Sequence, residues 1–343
     1  GFADVEGTQI IVFYPKNGVS KVQELQMVTQ KGSNVDVVAI HGNFDNAQSG
    51  VKAMFEDKEL AEELAGKGYQ FSSANSINIG RLVPQVVYYV YAYAKLLENE
   101  ELANGEELQV VVPTGNFGNI LAAYYAKQMG VPIGKLICAS NENKVLFDFF
   151  QTGTYDKNRE FVLTTSPSMD ILISSNLERL IYVIAGEDSD KTKELMEALK
   201  KDGTYTVSED MKAKLSDFAA GYATEDETAE QIHDVYDKTG YVMDTHTAVA
   251  SYVCSRYEQS EKTGKKYLIA STASPYKFVK SVMTAIDAKY AEEDEFALLP
   301  KLQELSQVDM PQAIKDILDA NVLHNIECDV DQMEETVKQI LNR

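Results

Sequence analysis

The sequence predicts an α/β fold of open, mostly parallel sheets with helices on both faces, and three observations predict it. Apolar strands alternate with polar-capped helices through the first seventy residues. A strand, a glycine-bearing turn, a helix and a second strand follow one another from Leu108 to Ala139. A short apolar strand, Tyr267 to Ala270, then runs into a hydroxyl-rich segment. Strands separated by helices are joined by crossovers, and crossovers leave them parallel. At roughly 150 residues per domain, 343 residues suggest two domains.

Taken in order, Ile10 to Phe13 is apolar and β-rich, and Ser20 and Gln23 stand at capping-box spacing before a helix over Val22 to Gln30. Val35 to Ile40 is the second strand. Within an α/β unit an opening strand has something before it. Gly1 to Gly7 therefore reads as the tail of a connection, and the chain is expected to begin inside a domain, with a sheet edge open to self-association. From Ser76 the pattern changes to a tyrosine-rich apolar helix, Leu82 to Leu97, whose content fits burial on more than one side. Leu108 to Val112 is a buried strand, Ile120 to Met129 a helix stopped by Gly130, and Lys135 to Ala139 the returning strand. Asp329 to Leu341 sets Met333, Val337, Ile340 and Leu341 on one face behind an aspartate cap. The expected division is a small α/β domain in residues 1–72 and a large one in residues 73–343, closed by the C-terminal helices.

Composition narrows the function. Fifty-three acidic residues against 32 basic ones leave a net charge of −21, which repels phosphate backbones and anionic headgroups, so nucleic acid and membranes are poor partners. No apolar run reaches the ~20 residues of a spanning helix, and the first residues carry no export signal. Cys138, Cys254 and Cys328 are far apart, as befits reduced thiols of a cytoplasmic protein, and four histidines are too few for a multi-histidine metal site. Nor does any Ser/His/Asp or Cys/His set stand at a known signature, so chemistry here depends on a bound cofactor.

Three segments could hold one. In Gly115-Asn116-Phe117-Gly118-Asn119, a glycine turn between strand and helix exposes backbone N–H groups at the positive end of the helix dipole, a setting for one phosphate. The Gly-x-x-Gly spacing departs from the Gly-x-Gly-x-x-Gly of dinucleotide sites, and no Gly-Lys-Ser/Thr follows. Glu142, just after the second strand, nevertheless keeps an NAD-type reading open, and a plain tight connection is the bland alternative. In Ser73 to Arg81, Asn75 or Ser76 capping the next helix would bring Arg81 near its start, where its fork could close on an anion; otherwise the run is a cap and Arg81 a surface cation. In Ser271 to Lys277, hydroxyls sit at the C-terminal end of a strand, where open α/β sheets bind ligands, although an ST-turn before Pro275 reads equally well. His246, in Asp244-Thr245-His246-Thr247, reads as a capping or packing group.

These pieces, in this order, resemble threonine synthase: Val112 to Asn119, with Asn75-Ser76-Ile77-Asn78 upstream and Thr272 to Phe278 downstream, joined by His41 to Asp45 and Gly240 to Val249. The likeness runs through nearly the whole chain. It implies a three-layer, fold-type II (tryptophan synthase β-like) enzyme, a lyase of threonine biosynthesis. Such an enzyme uses pyridoxal 5'-phosphate to turn O-phosphohomoserine and water into threonine and phosphate, by γ-elimination and β-addition of water, as a monomer or homodimer. By that likeness Gly115, Asn116, Phe117, Gly118 and Asn119 would cradle the cofactor phosphate. Thr272 would meet the pyridine nitrogen, and Asn75, Ser76 and Arg81 would hold the substrate phosphate. The family's cofactor-bearing lysine and its Ser-Gly-Asp-Thr-Gly loop are absent from the sequence, so no catalytic residue is assigned and these 343 residues are expected to be inactive. Where the family commonly has proline before the histidine, this chain has Thr245, and His246 is left without a role. A phosphometabolite-binding protein derived from the enzyme is the remaining alternative.

Overall fold

The computed structural model describes residues 2–73 and 78–342. Among them the strands are β1 (Ile10–Pro15), β2 (Val35–His41), β3 (Leu108–Pro113), β4 (Ile133–Ser140), β5 (Thr154–Asp156), β6 (Thr204–Thr206), β7 (Phe218–Tyr222), β8 (Lys266–Ile269) and β9 (Ile326–Asp329). They form two parallel sheets, ordered β1-β2-β9 and β7-β4-β3-β8, and an antiparallel pair, β5-β6. The chain divides into two compact units, Gly1–Ser72 with Ser274–Arg343, and Ser73–Ala273.

In the first unit the helix Lys21–Val28 starts at Ser20, whose side chain accepts from the Gln23 N–H while the Gln23 side chain accepts from the Ser20 N–H. Alternate residues of β2 face opposite layers. Val37 and Ala39 join Tyr14, whereas Val38 and Ile40 join Leu60 and Leu64. The C-terminal residues correct the expected division, because β9 pairs with β2 from Val38↔Ile326 to His41↔Asp329 and so adds a strand to the first sheet. Behind its Asp329 capping box, the helix Met333–Leu341 buries Met333, Val337 and Ile340 against the same core. Nothing local in a sequence marks a strand that pairs across nearly three hundred residues, and β9 has four residues. The opening strand β1 stands at the sheet edge, paired with β2 alone among the described residues.

The second unit is a three-layer sandwich. In its sheet Val110, Val112, Leu136 and Cys138 face the helix Gly118–Gln128, while Val111, Ile137 and Ala139 face Val249, Ala250 and Val253 of the helix Thr245–Glu261. Both faces are dry, which is why β3, apolar but for Gln109, is buried at every position. The tyrosine-rich helix departs from expectation. It breaks at Pro84 into Ile79–Leu82, a 3₁₀ turn Val83–Gln85 and Val86–Glu98, and it buries one face only: Tyr89 and Tyr93 point inward, while Val87, Tyr88 and Tyr91 are more than 60% exposed.

Candidate functional site

The loop after β3 is held from behind by its carbonyls. Thr114 extends the strand pairing through its N–H to Ala139 O at 2.8 Å. Beyond it, Ser174 Oγ donates to Gly115 O at 2.7 Å. The Asn176 N–H and Nδ2 donate to Asn116 O at 3.1 and 3.0 Å, and Ser175 Oγ donates to Asn116 Oδ1 at 3.1 Å. Arg179 Nε donates to Asn176 Oδ1, which fixes that amide with its NH₂ toward the loop. Only glycine fits at 115, since a Cβ there would lie 2.6 Å from Ser168 O.

With the carbonyls engaged, the amides are left over. Phe117 adopts the left-handed conformation (φ +66°), sets its ring against Phe150 and Phe218, and opens the helix Gly118–Gln128 with no side-chain cap. Among the described residues, the N–H groups of Phe117, Gly118, Asn119 and Ile120 meet no acceptor. Tyr89, whose phenol is driven upward in pKa by burial and stays a neutral donor, gives its hydroxyl proton to Asn119 Oδ1. With its Oδ1 engaged, the NH₂ group is the side-chain donor that Asn119 has to offer. The set is one of donors at the positive end of a helix dipole, and it suits an anionic oxygen cluster.

Thr272 reaches the same edge. β8 pairs in parallel with β3 up to Val111↔Ile269, and the Ala270 N–H donates to Val111 O at 2.9 Å. Thr114 and Thr272 each lie three residues beyond that last pair. Thr272 is exposed, at the C-terminal edge where open α/β sheets place ligands.

The other sequence candidates separate. Asn75 and Ser76 lie outside the described residues. The observed cap of Ile79–Leu82 is Asn78, whose Oδ1 accepts from the Gly80 N–H at 2.8 Å, and Arg81 is exposed on that short helix. Glu142, on which the NAD-type reading depended, accepts from the Glu225 N–H at 3.1 Å at the start of the helix Glu225–Thr239 and is engaged there. His246 is buried, as a capping or packing group would be. No group of three or more metal-ligating side chains occurs among the described residues, nor any helix long and apolar enough to cross a membrane.

Sequence reasoning missed the segment that makes the loop work, residues 164–176. Its turn is organised by Asp170, which accepts from Thr164 Oγ1 and N–H, Asn141 Nδ2 and Asn143 Nδ2 at 2.7–3.0 Å. Burial raises the Asp170 carboxyl above the ordinary range against the pull of those bonds. Ser174-Ser175-Asn176, three short polar residues directly before a helix, is the one signal that could have pointed there.

The family model for the C-terminal part of threonine synthase matches residues 247–337. Human threonine synthase-like 1 is 42% identical over 293 residues, 84% of this chain and 39% of that protein. Threonine synthase of Saccharomyces cerevisiae is 35% identical over 324 residues, 89% of this chain and 61% of that protein. The pyridoxal-phosphate-bound crystal structure of threonine synthase from Brucella melitensis superposes with a TM-score of 0.80 at 35% identity, over 99% of this chain and 66% of that one. The chain thus spans about two fifths of the length of the first relative and three fifths of the second. With motif order, topology and identity in agreement, the chain belongs to the threonine synthase family and has its fold-type II α/β architecture.

Proposed function

We propose that this chain is the part of a threonine synthase that binds the cofactor phosphate and the substrate phosphate, and that the whole protein forms threonine from O-phosphohomoserine and water. When bound, pyridoxal 5'-phosphate supplies the electron sink for the carbanion chemistry of such a reaction. Gly115, Asn116, Phe117, Gly118 and Asn119 hold its phosphate by backbone amides and the Asn119 NH₂. Thr272 offers the pyridine nitrogen a hydroxyl that neither protonates nor charges it. Asn75, Ser76 and Arg81 take the substrate phosphate, giving a −21 protein one local cationic focus.

A single observation supports this reading: β3 and β8 pair in parallel, so the segments that carry Gly115 to Asn119 and Thr272 both leave the sheet at its C-terminal edge. A cytoplasmic setting is supported by three free cysteines. The missing lysine and Ser-Gly-Asp-Thr-Gly loop support a further part of the proposal, that these 343 residues bind without turning over. Titration of the chain with pyridoxal 5'-phosphate and, separately, with NAD tests the reading. We expect saturable binding of the first and none of the second; the reverse outcome refutes it. Threonine released from O-phosphohomoserine by the chain alone would refute the inactivity.

A further inference from the structure

Behind the two halves of the site lies one buried cap. Asp244 starts the helix Thr245–Glu261 and accepts from the N–H groups of His246 and Thr247 at 2.9 and 3.3 Å. His246 Nδ1 lies 3.2 Å from Asp244 Oδ1. Its other ring nitrogen, Nε2, accepts the backbone N–H of Ser168 at 3.2 Å. A backbone amide can only donate, so Nε2 carries no proton and the ring is the neutral Nδ1–H form, giving its proton to Asp244. Toward the other side, Thr247 Oγ1 touches Asp244 Oδ2 and Ser271 Oγ. The carboxylate has no proton to give, so Thr247 donates to it and accepts the Ser271 hydroxyl proton.

The cap is therefore tied at one end to Ser168, whose carbonyl closes on Gly115, and at the other to Ser271, the neighbour of Thr272. Thr245 strengthens the first tie by donating from its hydroxyl to Thr165 O at 2.7 Å, a bond that proline at this position could not make. We propose that His246 is a positioning residue. Through Ser168 it sets the height of the Gly115 loop, while Asp244 and Thr247 make the same anchor set Thr272, so that the phosphate-binding amides and the ring-facing hydroxyl keep a fixed separation. The proposal rests on the pyridoxal-phosphate reading above.

The test uses the 343-residue chain and the variants His246→Leu, His246→Gln and Thr247→Val. Each is titrated with inorganic phosphate, followed by phosphorus NMR, and with pyridoxal 5'-phosphate, followed by absorbance. Leucine fills the volume but leaves the Ser168 N–H unpaired, and it weakens both ligands on the order of tenfold. Glutamine, whose amide oxygen can accept that N–H, restores both to within about threefold of the unaltered chain. Thr247→Val weakens pyridoxal 5'-phosphate and leaves inorganic phosphate unchanged.

Rescue by glutamine over leucine is the result that packing alone would not produce. If the unaltered chain takes up neither ligand, the functional reading itself fails. If the chain binds and His246→Leu binds equally well, or glutamine does no better than leucine, this inference alone is overturned. Should circular dichroism show His246→Leu unfolded, unchanged pyridoxal 5'-phosphate affinity in Thr247→Val overturns it.

Discussion

Gly115→Ala adds one methyl group to the loop, and the structure fixes its sign. Gly115 is not in the left-handed region, so alanine meets no backbone penalty there. By removing freedom from the unfolded chain it would ordinarily stabilise by about 0.4–1 kcal/mol. The added Cβ, however, would lie 2.6 Å from Ser168 O and 3.3 Å from Met169 Cα. The first distance is about 0.8 Å short of ordinary contact, and the obstacle is backbone that cannot swing aside. Ser168 is held in turn by His246, so relief must come from moving the loop, the Ser168 turn or both. Overpacking of this kind costs roughly 1–3 kcal/mol, which outweighs the entropic gain. The net loss should lower the transition of the second unit by about 2–8 °C. Calorimetry checks the stability, and phosphate titration should show a loss of affinity on the order of tenfold. Undiminished melting temperature and phosphate affinity in Gly115→Ala would show that the close approach of Ser168 does not set the loop.

Other changes test neighbouring steps. Gly66→Ala, at the exposed end of the helix Lys58–Gly66 with nothing within 4 Å of the new Cβ, should stabilise by about 0.5–1 kcal/mol in urea unfolding, the opposite sign for the same methyl group. Phe117→Ala should cost roughly 3–5 kcal/mol for the lost buried ring. Phe117→Gly should cost about 1 kcal/mol less than alanine, despite removing more, because glycine has no penalty at φ +66°; equal urea midpoints for the two would contradict this. The Glu258 carboxyl is held down to about 2 by the Tyr267 hydroxyl first, then by the Thr263 hydroxyl and the Gly264 N–H. Its folded pKa lies below the ordinary 4.5, so its stabilisation is present above that value and fades as pH falls toward about 2. Tyr267→Phe should flatten that acid loss in urea midpoints measured down the same range.

The fold was legible where local chemistry decides it. The Ser20 capping box, the largely apolar β3 and the strand–glycine–helix turn are short-range signals, and each lies where the pattern put it. Two features failed for a shared reason, dependence on distant partners. The attachment of residues 274–343 to the first unit is set by the pairing of β9 with β2, which four residues cannot announce. The tyrosine-rich helix gave a composition fit for burial, but composition says nothing about which face a helix turns to water, and Pro84 splits it besides. In the site, the donors were readable from Gly115 and Gly118, whereas the groups that turn those donors outward were not, because they come from Ser174, Ser175 and Asn176 about sixty residues later.

That asymmetry explains why the glycine motif alone left several readings open. A loop of five residues carries as many acceptors as donors, and in isolation its carbonyls would repel the anion that its amides attract. Binding requires that the two be sorted, with every carbonyl occupied on one side and the amides gathered on the other. Here the sorting is done by Ser174 on Gly115 O and by Asn176 on Asn116 O, with the Asn176 amide itself oriented by Arg179. The left-handed Phe117 then reverses the chain so that the next amides open a helix rather than a turn. The exposure of these donors is thus a property of two segments. A glycine loop with the same five residues but no Ser-Ser-Asn partner would be a tight connection and nothing more.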